Sequence, residues 1–503
     1  MDARLGRVGR KVDSRTPVGA GTTGSSSQTA ETVDSAAVSA RVSEFVAGLQ
    51  SADVPHVVTE RLKKSVLDVL ASALYGSRID SIAAPLEYVR RRGGPPQSTI
   101  WYYGDKVPLF EAALMNGTMI NASEYQEGFS RAMAQPEVGV VPGLMALAER
   151  ERKSGGEFLT AAAAGYELLI RFGFTLAEPA VFYQRQGLTA PAVFGPLGSA
   201  ASGSRLLGWS PTRVADAMGI ASVLTPTPPL VGNHQSATVK DMYQGFGTAF
   251  GMMAVDLAAV GVTGLRDWVL PWYRAVVQGY TLTPLIDRLG EYWHISSGGL
   301  HIKSKPVLAM AQPVLSSLEQ ILTTNDIDVE DIEDILAESS RRIELSDIPE
   351  PTTMTGARAS IQFMVAAALV HQQAFKSDPY LVRFLSPSLL DDRDVRRLAK
   401  RVRLGIDPEF DFNMDFAPTK DGDHYMKFEG RITLTLRDGR KLSAYEDVYA
   451  LNGNPNRERI EAKFRACAEG KLPAVQQDRL IETVWQLESL KDMSELVELM
   501  LAR

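Results

Sequence analysis

Between Asp34 and Val260 apolar residues recur at helical spacing, and Ala or Gly fills many of the positions that would face a neighbouring helix. No other feature of the chain constrains its fold as strongly. Val38, Val42, Phe45, Val46 and Leu49 stand at offsets 0, 4, 7, 8 and 11, which is one face of a helix. Asp53-Val54-Pro55 breaks that run. Leu62, Val66, Leu70, Ala73 and Leu74 mark a second helix, ended by Gly76. The same period continues through 112–123, 141–150, 158–172, 195–207, 211–223 and 245–260. Small residues let helix axes approach closely, so these segments predict a compact all-α body.

The pattern changes after about Tyr280. Pro306 to Leu322 reads as one helix, and Ile332–Ser339 as a strand. Residues 401–406 and 431–436 alternate apolar and polar, and Asp438-Gly439 after the latter signals a hairpin turn. The tail returns to helix, with Ile460, Phe464, Leu480, Val484, Leu487, Leu496 and Leu499 as packing faces. The fold class expected is therefore mainly α: a helical body over 34–284 plus 449–503, with a smaller α+β domain inserted at 285–448. No internal repeat is visible.

Composition narrows the function. Fifty-three basic and 60 acidic residues give a formal charge of −7, which does not suit a nucleic-acid or anionic-membrane surface as the main partner. The single Cys467 excludes an intrachain disulfide and Cys-based zinc or iron–sulfur sites, in keeping with a reducing compartment. The most apolar stretch, 245–264, is rich in Gly and Ala and carries Asp256, so it reads as a buried helix and not a membrane span. Residues 1–33 carry Arg4, Arg7, Arg10, Lys11 and Arg15 and then a Gly/Ser/Thr run without an apolar core. They read as a disordered tail of a cytoplasmic protein. The basic residues would suit a mitochondrial transit peptide, but Asp2 and Asp13 count against it.

The P-loop, the Gly-x-Ser-x-Gly elbow and His-Glu-x-x-His are all absent, and the six His residues show no metal spacing. Gly245-Phe-Gly-Thr-Ala-Phe-Gly251 has the wrong spacing for a dinucleotide loop, so helix packing is the better reading. Several blocks carry more. They are 113–128, with Asn116-Gly117 and Glu124, then Gln135-Pro136 and Pro142-Gly143; Gly187-Leu-Thr-Ala-Pro191; Val239-Lys-Asp-Met-Tyr-Gln-Gly-Phe246; His301-Ile-Lys303 with Pro306; and Ser360-Ile-Gln-Phe363. In this order they resemble the MmgE/PrpD family, which includes 2-methylcitrate dehydratases and cis-aconitate decarboxylases. The resemblance runs from about residue 40 onward.

That resemblance implies a homodimer without metal or organic cofactor, acting on a small carboxylic acid in a site between the helical body and an α+β lid. By matched position, Lys240 and Lys303 are the two carboxylate-holding lysines, and Glu124 is the carboxyl that shuttles a proton. Other positions depart from the family. Its acidic pair is Gln126-Glu127 here, its site His residues are Gln135 and Thr189, and its Tyr is Phe363. Gln and Thr can hydrogen-bond a carboxylate but cannot carry a proton near neutral pH. His234 or Tyr243 is the expected replacement donor. Taken alone, Lys240 would be a surface lysine, Glu124 a solvated helix-end residue, His234 a surface histidine, Phe363 core, and Asn116-Gly117 a bend. The implied activity is decarboxylation of cis-aconitate or an alkylated analogue, in a biosynthetic pathway. A 2-methylcitrate dehydratase-like hydro-lyase, an isomerase or epimerase, and an inactive carboxylate-binding protein are the alternatives.

Overall fold

Asp34 opens helix α1 (Ser35–Gly48) by accepting a hydrogen bond from the Ala36 amide at 3.0 Å, which satisfies one of the donors a helix start leaves orphaned. The structure, a computed structural model, describes residues 34–129, 131–176, 187–232, 235–277, 279–410, 417–418, 424–425, 427–448 and 455–502. The tail expected over 1–33 lies outside them. Helix α2 (His56–Gly76) follows Pro55 and ends at the expected glycine. The principal helices that follow are α3 (Leu109–Ala122), α4 (Pro136–Arg150), α5 (Gly155–Phe174), α6 (Ala190–Leu206), α7 (Pro211–Val223) and α8 (Tyr243–Ala259). Local chemistry sets their starts. At α5, Ser154 Oγ accepts from the Glu157 amide and Glu157 returns the bond to the Ser154 amide, a capping box. Proline occupies the first turn of α4, α6 and α7, where its missing N–H costs nothing.

The small residues do what their positions suggest. A Cβ on Gly117 of α3 would stand 2.8 Å from Gly245 Cα of α8, and one on Gly195 of α6 would stand 3.1 Å from Gly247 Cα. Three helices thus cross almost backbone to backbone. The Gly245–Gly251 run lies inside α8, as helix packing required. Asn116-Gly117, in contrast, makes no bend. Helix α3 runs through it, and Asn116 ties Thr99 and Trp101 to the helix by accepting from the Trp101 amide and donating to the Thr99 carbonyl, both at 3.0 Å.

In the second half, helix α9 (Ala311–Thr324) begins five residues later than Pro306. The segment before it stays out of the helix because its backbone is satisfied elsewhere. Gln312 Nε2 donates to the carbonyls of Lys305 and Val307, and the Leu308 amide donates to the Arg358 carbonyl. Strands β1 (Ile332–Ser339), β2 (Val402–Ile406), β3 (Glu429–Leu436) and β4 (Lys441–Asp447) form one sheet in the order β4-β3-β1-β2. β1 and β2 are parallel, and the other pairs are antiparallel. Gly439, at φ +86°, supplies the left-handed residue of the β3–β4 hairpin. Ile335, Ile432 and Leu434 on the sheet share one apolar cluster with Val314 and Leu318 of α9 and with Phe363 of helix α10 (Ile361–Val370). The chain then returns to the first helices. Lys463 on α11 (Arg457–Ala468) meets Asp68 on α2, Nζ to Oδ1 2.5 Å. Among the described residues no helix is long and apolar enough to cross a membrane.

Candidate active site

The turn that leaves α3 brings a carboxylate inward. Glu124 follows the helix end with φ +52°, a left-handed backbone that costs a non-glycine residue free energy and that recurs where function holds it in place. The residue is 4% exposed, so it is no solvated helix end. Two ammonium groups meet it. Lys240 Nζ pairs with Oε1, while Lys303 Nζ donates to the Glu124 carbonyl at 2.9 Å and stands 3.1 Å from Oε2.

Each lysine is placed by its own element. Lys240 lies in a 3-10 turn (Thr238–Met242) that runs into α8. Asn121 Nδ2 pins that turn by donating to the carbonyls of Lys240 at 2.8 Å and Asp241 at 3.0 Å. Asp241 Oδ2 accepts from Ser81 and Thr355, which closes the other side. Lys303 follows the short pairing of Gly128–Phe129 with Leu300–His301. Burial, opposed by Asp241 and helped by the nearby Lys303 and Arg358, lowers the Lys240 ammonium to about 8. Burial likewise lowers Lys303 to about 7, with Lys463 adding to the effect. Both amines therefore exchange protons near neutral pH, far below an ordinary lysine.

In front of this pair lies a cavity of about 110 Å³, several times the ~10–15 Å³ that one water needs. Glu124, Gln135, Thr189, Lys240 and Tyr243, all singled out from the sequence, line it together with Asn121, Gln126, Gln244 and Arg342. Pro191, Leu308, Ala309, Met310 and Leu345 form an apolar wall. Lys303 stands behind Glu124 and reaches the cavity through it. Lys240 and Lys303 pair with Glu124, and Arg342 lines the same cavity, so cations outnumber the one carboxylate and the cavity favours an anionic guest.

One wall cannot titrate. Asn121 commits its amide nitrogen to two backbone carbonyls, so its Oδ1 is fixed as an acceptor. It receives Gln126 Nε2 at 3.3 Å and Gln244 Nε2 at 2.7 Å. Both glutamines also donate to Gln135 Oε1. The backbone therefore sets the direction of the whole amide network. Among the described residues no histidine lines the cavity. His301 is held near 3 by burial and by the charge of Lys303, so it is neutral at physiological pH. His234, expected as a donor, lies outside the described residues. Tyr243 does line the cavity, and burial raises its hydroxyl above the usual value, which makes it a weaker acid. Phe363 is fully buried on α10 in the apolar cluster and takes no part. No group of three or more His, Cys, Asp or Glu among the described residues is arranged to hold a metal ion.

Asn121, Gln244 and Arg342 were not singled out as site residues. Asn121 lies three residues before Glu124 and Gln244 directly after Tyr243, both inside blocks that carry a signal. Arg342 lies on a 3-10 turn (Arg341–Ser346) after β1, where nothing local marks it, and only the tertiary fold brings it to the cavity.

The chain is similar in sequence to known proteins over most of its length. The sequence pattern of the MmgE/PrpD N-terminal domain matches residues 40–278, and that of the MmgE/PrpD C-terminal domain matches 306–489. A cis-aconitate decarboxylase-like protein of Aspergillus oryzae, oryM, is 27% identical over 92% of this chain and 97% of its own length. A cis-aconitate decarboxylase of Aspergillus terreus is 25% identical over 94% of this chain and 98% of its own. The cis-aconitate decarboxylase of Homo sapiens is 25% identical over 90% and 92%.

Proposed function

The chain belongs to the MmgE/PrpD family, and from that premise we propose that it is a carbon–carbon lyase that decarboxylates cis-aconitate or an alkylated analogue of it. One observation carries the reading. A buried ammonium lowered to about 8, Lys240, faces an anion-favouring cavity and is held there by Glu124. Lys240 and Arg342 bind substrate carboxylates. Gln135 and Thr189 hydrogen-bond a carboxylate without exchanging its protons. The bond from the saturated arm to its carboxylate breaks, and carbon dioxide leaves. The electron pair passes into an allylic carbanion that the cations stabilise as it forms. Lys240 then gives its proton to the far allylic carbon, yielding an itaconate-type product and a neutral amine that solvent reprotonates. A depressed lysine suits this step better than Tyr243, whose acidity burial reduces. The apolar wall of Pro191, Leu308, Ala309, Met310 and Leu345 supports an alkyl-bearing substrate.

A second reading, an inactive carboxylate-binding protein, is favoured by the amide wall of Asn121, Gln126, Gln135 and Gln244, which can bind but not transfer protons. The test is turnover of purified protein with cis-aconitate and longer alkyl analogues, followed by proton NMR and carbon dioxide release. Itaconate-type product with matching gas release is expected, and its loss in Lys240→Met. Substrate consumed without gas would replace the proposal with a hydro-lyase or isomerase. Tight binding without any change in the acid would favour the second reading.

A further inference from the structure

Lys463 belongs to the C-terminal helix α11, is 2% exposed and lines no part of the cavity. Yet its ammonium touches the backbone of both segments that build the site. Nζ donates to the Tyr125 carbonyl at 2.8 Å, one residue after Glu124, and to the Lys303 carbonyl at 3.0 Å. It lies 3.9 Å from the centre of the Tyr125 ring and pairs with Asp68 of α2. One buried cation therefore staples two segments that are 178 residues apart (303 minus 125), at the point where one presents a strained carboxylate and the other its lysine partner. A buried ion pair is weak evidence for stability, because taking two charges out of water costs as much as their attraction returns. Here the pair makes contacts that an apolar substitute could not.

We infer that Lys463 is a positioning residue: it holds the Glu124 and Lys303 segments in register, and its charge acts on the Lys303 ammonium. The inference rests on the reading of Glu124, Lys240 and Lys303 as the working group of the site. The charged and titratable groups around Lys303 come from every element that meets there. They are Glu124 and Tyr125 after α3, Lys240 before α8, Asp68 on α2, Glu137 on α4, His301 two residues away, and Lys463. After burial, Lys463 does most to lower Lys303, and its effect exceeds the opposing pull of Glu137 or of Asp68 taken singly. Without it, Lys303 would stay protonated to higher pH, and its proton would be less available to the Glu124–Lys240 pair.

The test reads Lys303 directly and needs no turnover, so it stays informative even if the proposed reaction is wrong. Protein carrying [ζ-15N]lysine is titrated by NMR, with Lys303→Met assigning the resonance. The wild-type midpoint is expected near 7. Lys463→Met should move it upward, and Lys463→Arg, which keeps the charge, should leave it close to the wild-type value. Because Lys463→Met strands Asp68, the paired variant Lys463→Gln with Asp68→Asn removes both charges and keeps a donor for the carbonyls. Its midpoint should also rise, since Lys463 outweighs Asp68. A folded variant of either kind with an unchanged midpoint would overturn the inference, as would a wild-type midpoint near that of an ordinary lysine. Loss of folding stability with no change in midpoint would reduce Lys463 to a structural residue.

Discussion

Replacing Glu124 with Gln asks whether the two lysines beside it are able to give up their charge. The substitution keeps the shape and one oxygen acceptor but removes the single negative charge that bridges Lys240 and Lys303. Removing one partner of a buried ion pair usually costs about 3–5 kcal/mol, because the other charge is left uncompensated. These two amines can escape that penalty by losing a proton. At pH 7 a group lowered to about 8, as Lys240 is, deprotonates for about 1.4 kcal/mol. A group lowered to about 7, as Lys303 is, deprotonates for almost nothing. Glu124→Gln should therefore destabilise the fold by about 1–2 kcal/mol at pH 7. The difference should shrink toward zero at pH 9, where both amines are already neutral in the parent protein. Urea denaturation of both proteins at the two pH values measures it. A loss of about 3–5 kcal/mol that does not change with pH would refute the argument, since it would mean that both ammonium groups remain charged whatever surrounds them.

Three further outcomes follow from the same structure. Lys303 binds its proton less well when folded, at about 7, than in the unfolded chain, at about 10.5. Between those values the unfolded chain holds more protons, so stability rises with pH. The unfolding free energy of wild type minus that of Lys303→Met should increase by up to about 1.4 kcal/mol per pH unit above neutrality, and a flat difference would exclude the depressed lysine. Gly117→Ala should cost about 1–3 kcal/mol in thermal or chemical denaturation, because its new methyl would lie 2.8 Å from Gly245 Cα and two helices would have to part. An unchanged stability would show that the crossing is looser than described. Cys467 is buried and pushed up to about 12, so a thiol reagent should label it only after denaturant is added, and rapid native labelling would contradict its burial.

How much of this could be read beforehand differs from residue to residue. Helix α7 is legible to the residue, because Ser210-Pro211 starts it and its apolar period is unbroken to Val223. β1 and the β3–β4 hairpin are equally plain, with Ile332, Ile335 and Ala337 facing the core and Gly439 in the turn. Pro306 misleads because Val307, Leu308 and Met310 look like one helix face, whereas they form a loop whose backbone is satisfied by Gln312 and Arg358 and which supplies part of the cavity wall. Gly117 looks like a bend because a glycine that serves a close helix crossing is indistinguishable, in one dimension, from a glycine that serves a turn. Glu124, Lys240 and Lys303 were visible as members of blocks, but their mutual contact was not. Arg342 and Lys463 were invisible for one physical reason. Each sits in a locally charged, ordinary-looking segment, and its role depends on partners far away in the chain. Lys463, flanked by Arg457, Arg459, Glu461 and Arg465 on α11, resembles a solvated helix face until the fold buries it against Asp68.

The claim on which the account turns is that Lys240, held by Glu124, receives a carboxylate. The most direct measurement is calorimetric binding of tricarballylate, a saturated tricarboxylate that lacks the allylic bond needed to react, to wild type and to folded Lys240→Met at matched salt. A hydrogen bond to a charged group contributes about 1.5–3 kcal/mol, so the variant should bind at least about tenfold more weakly, and the difference should diminish as pH rises past 8 and the wild-type amine loses its charge. Equal affinity for the two proteins across that range would place the carboxylate elsewhere and contradict the assignment of the site.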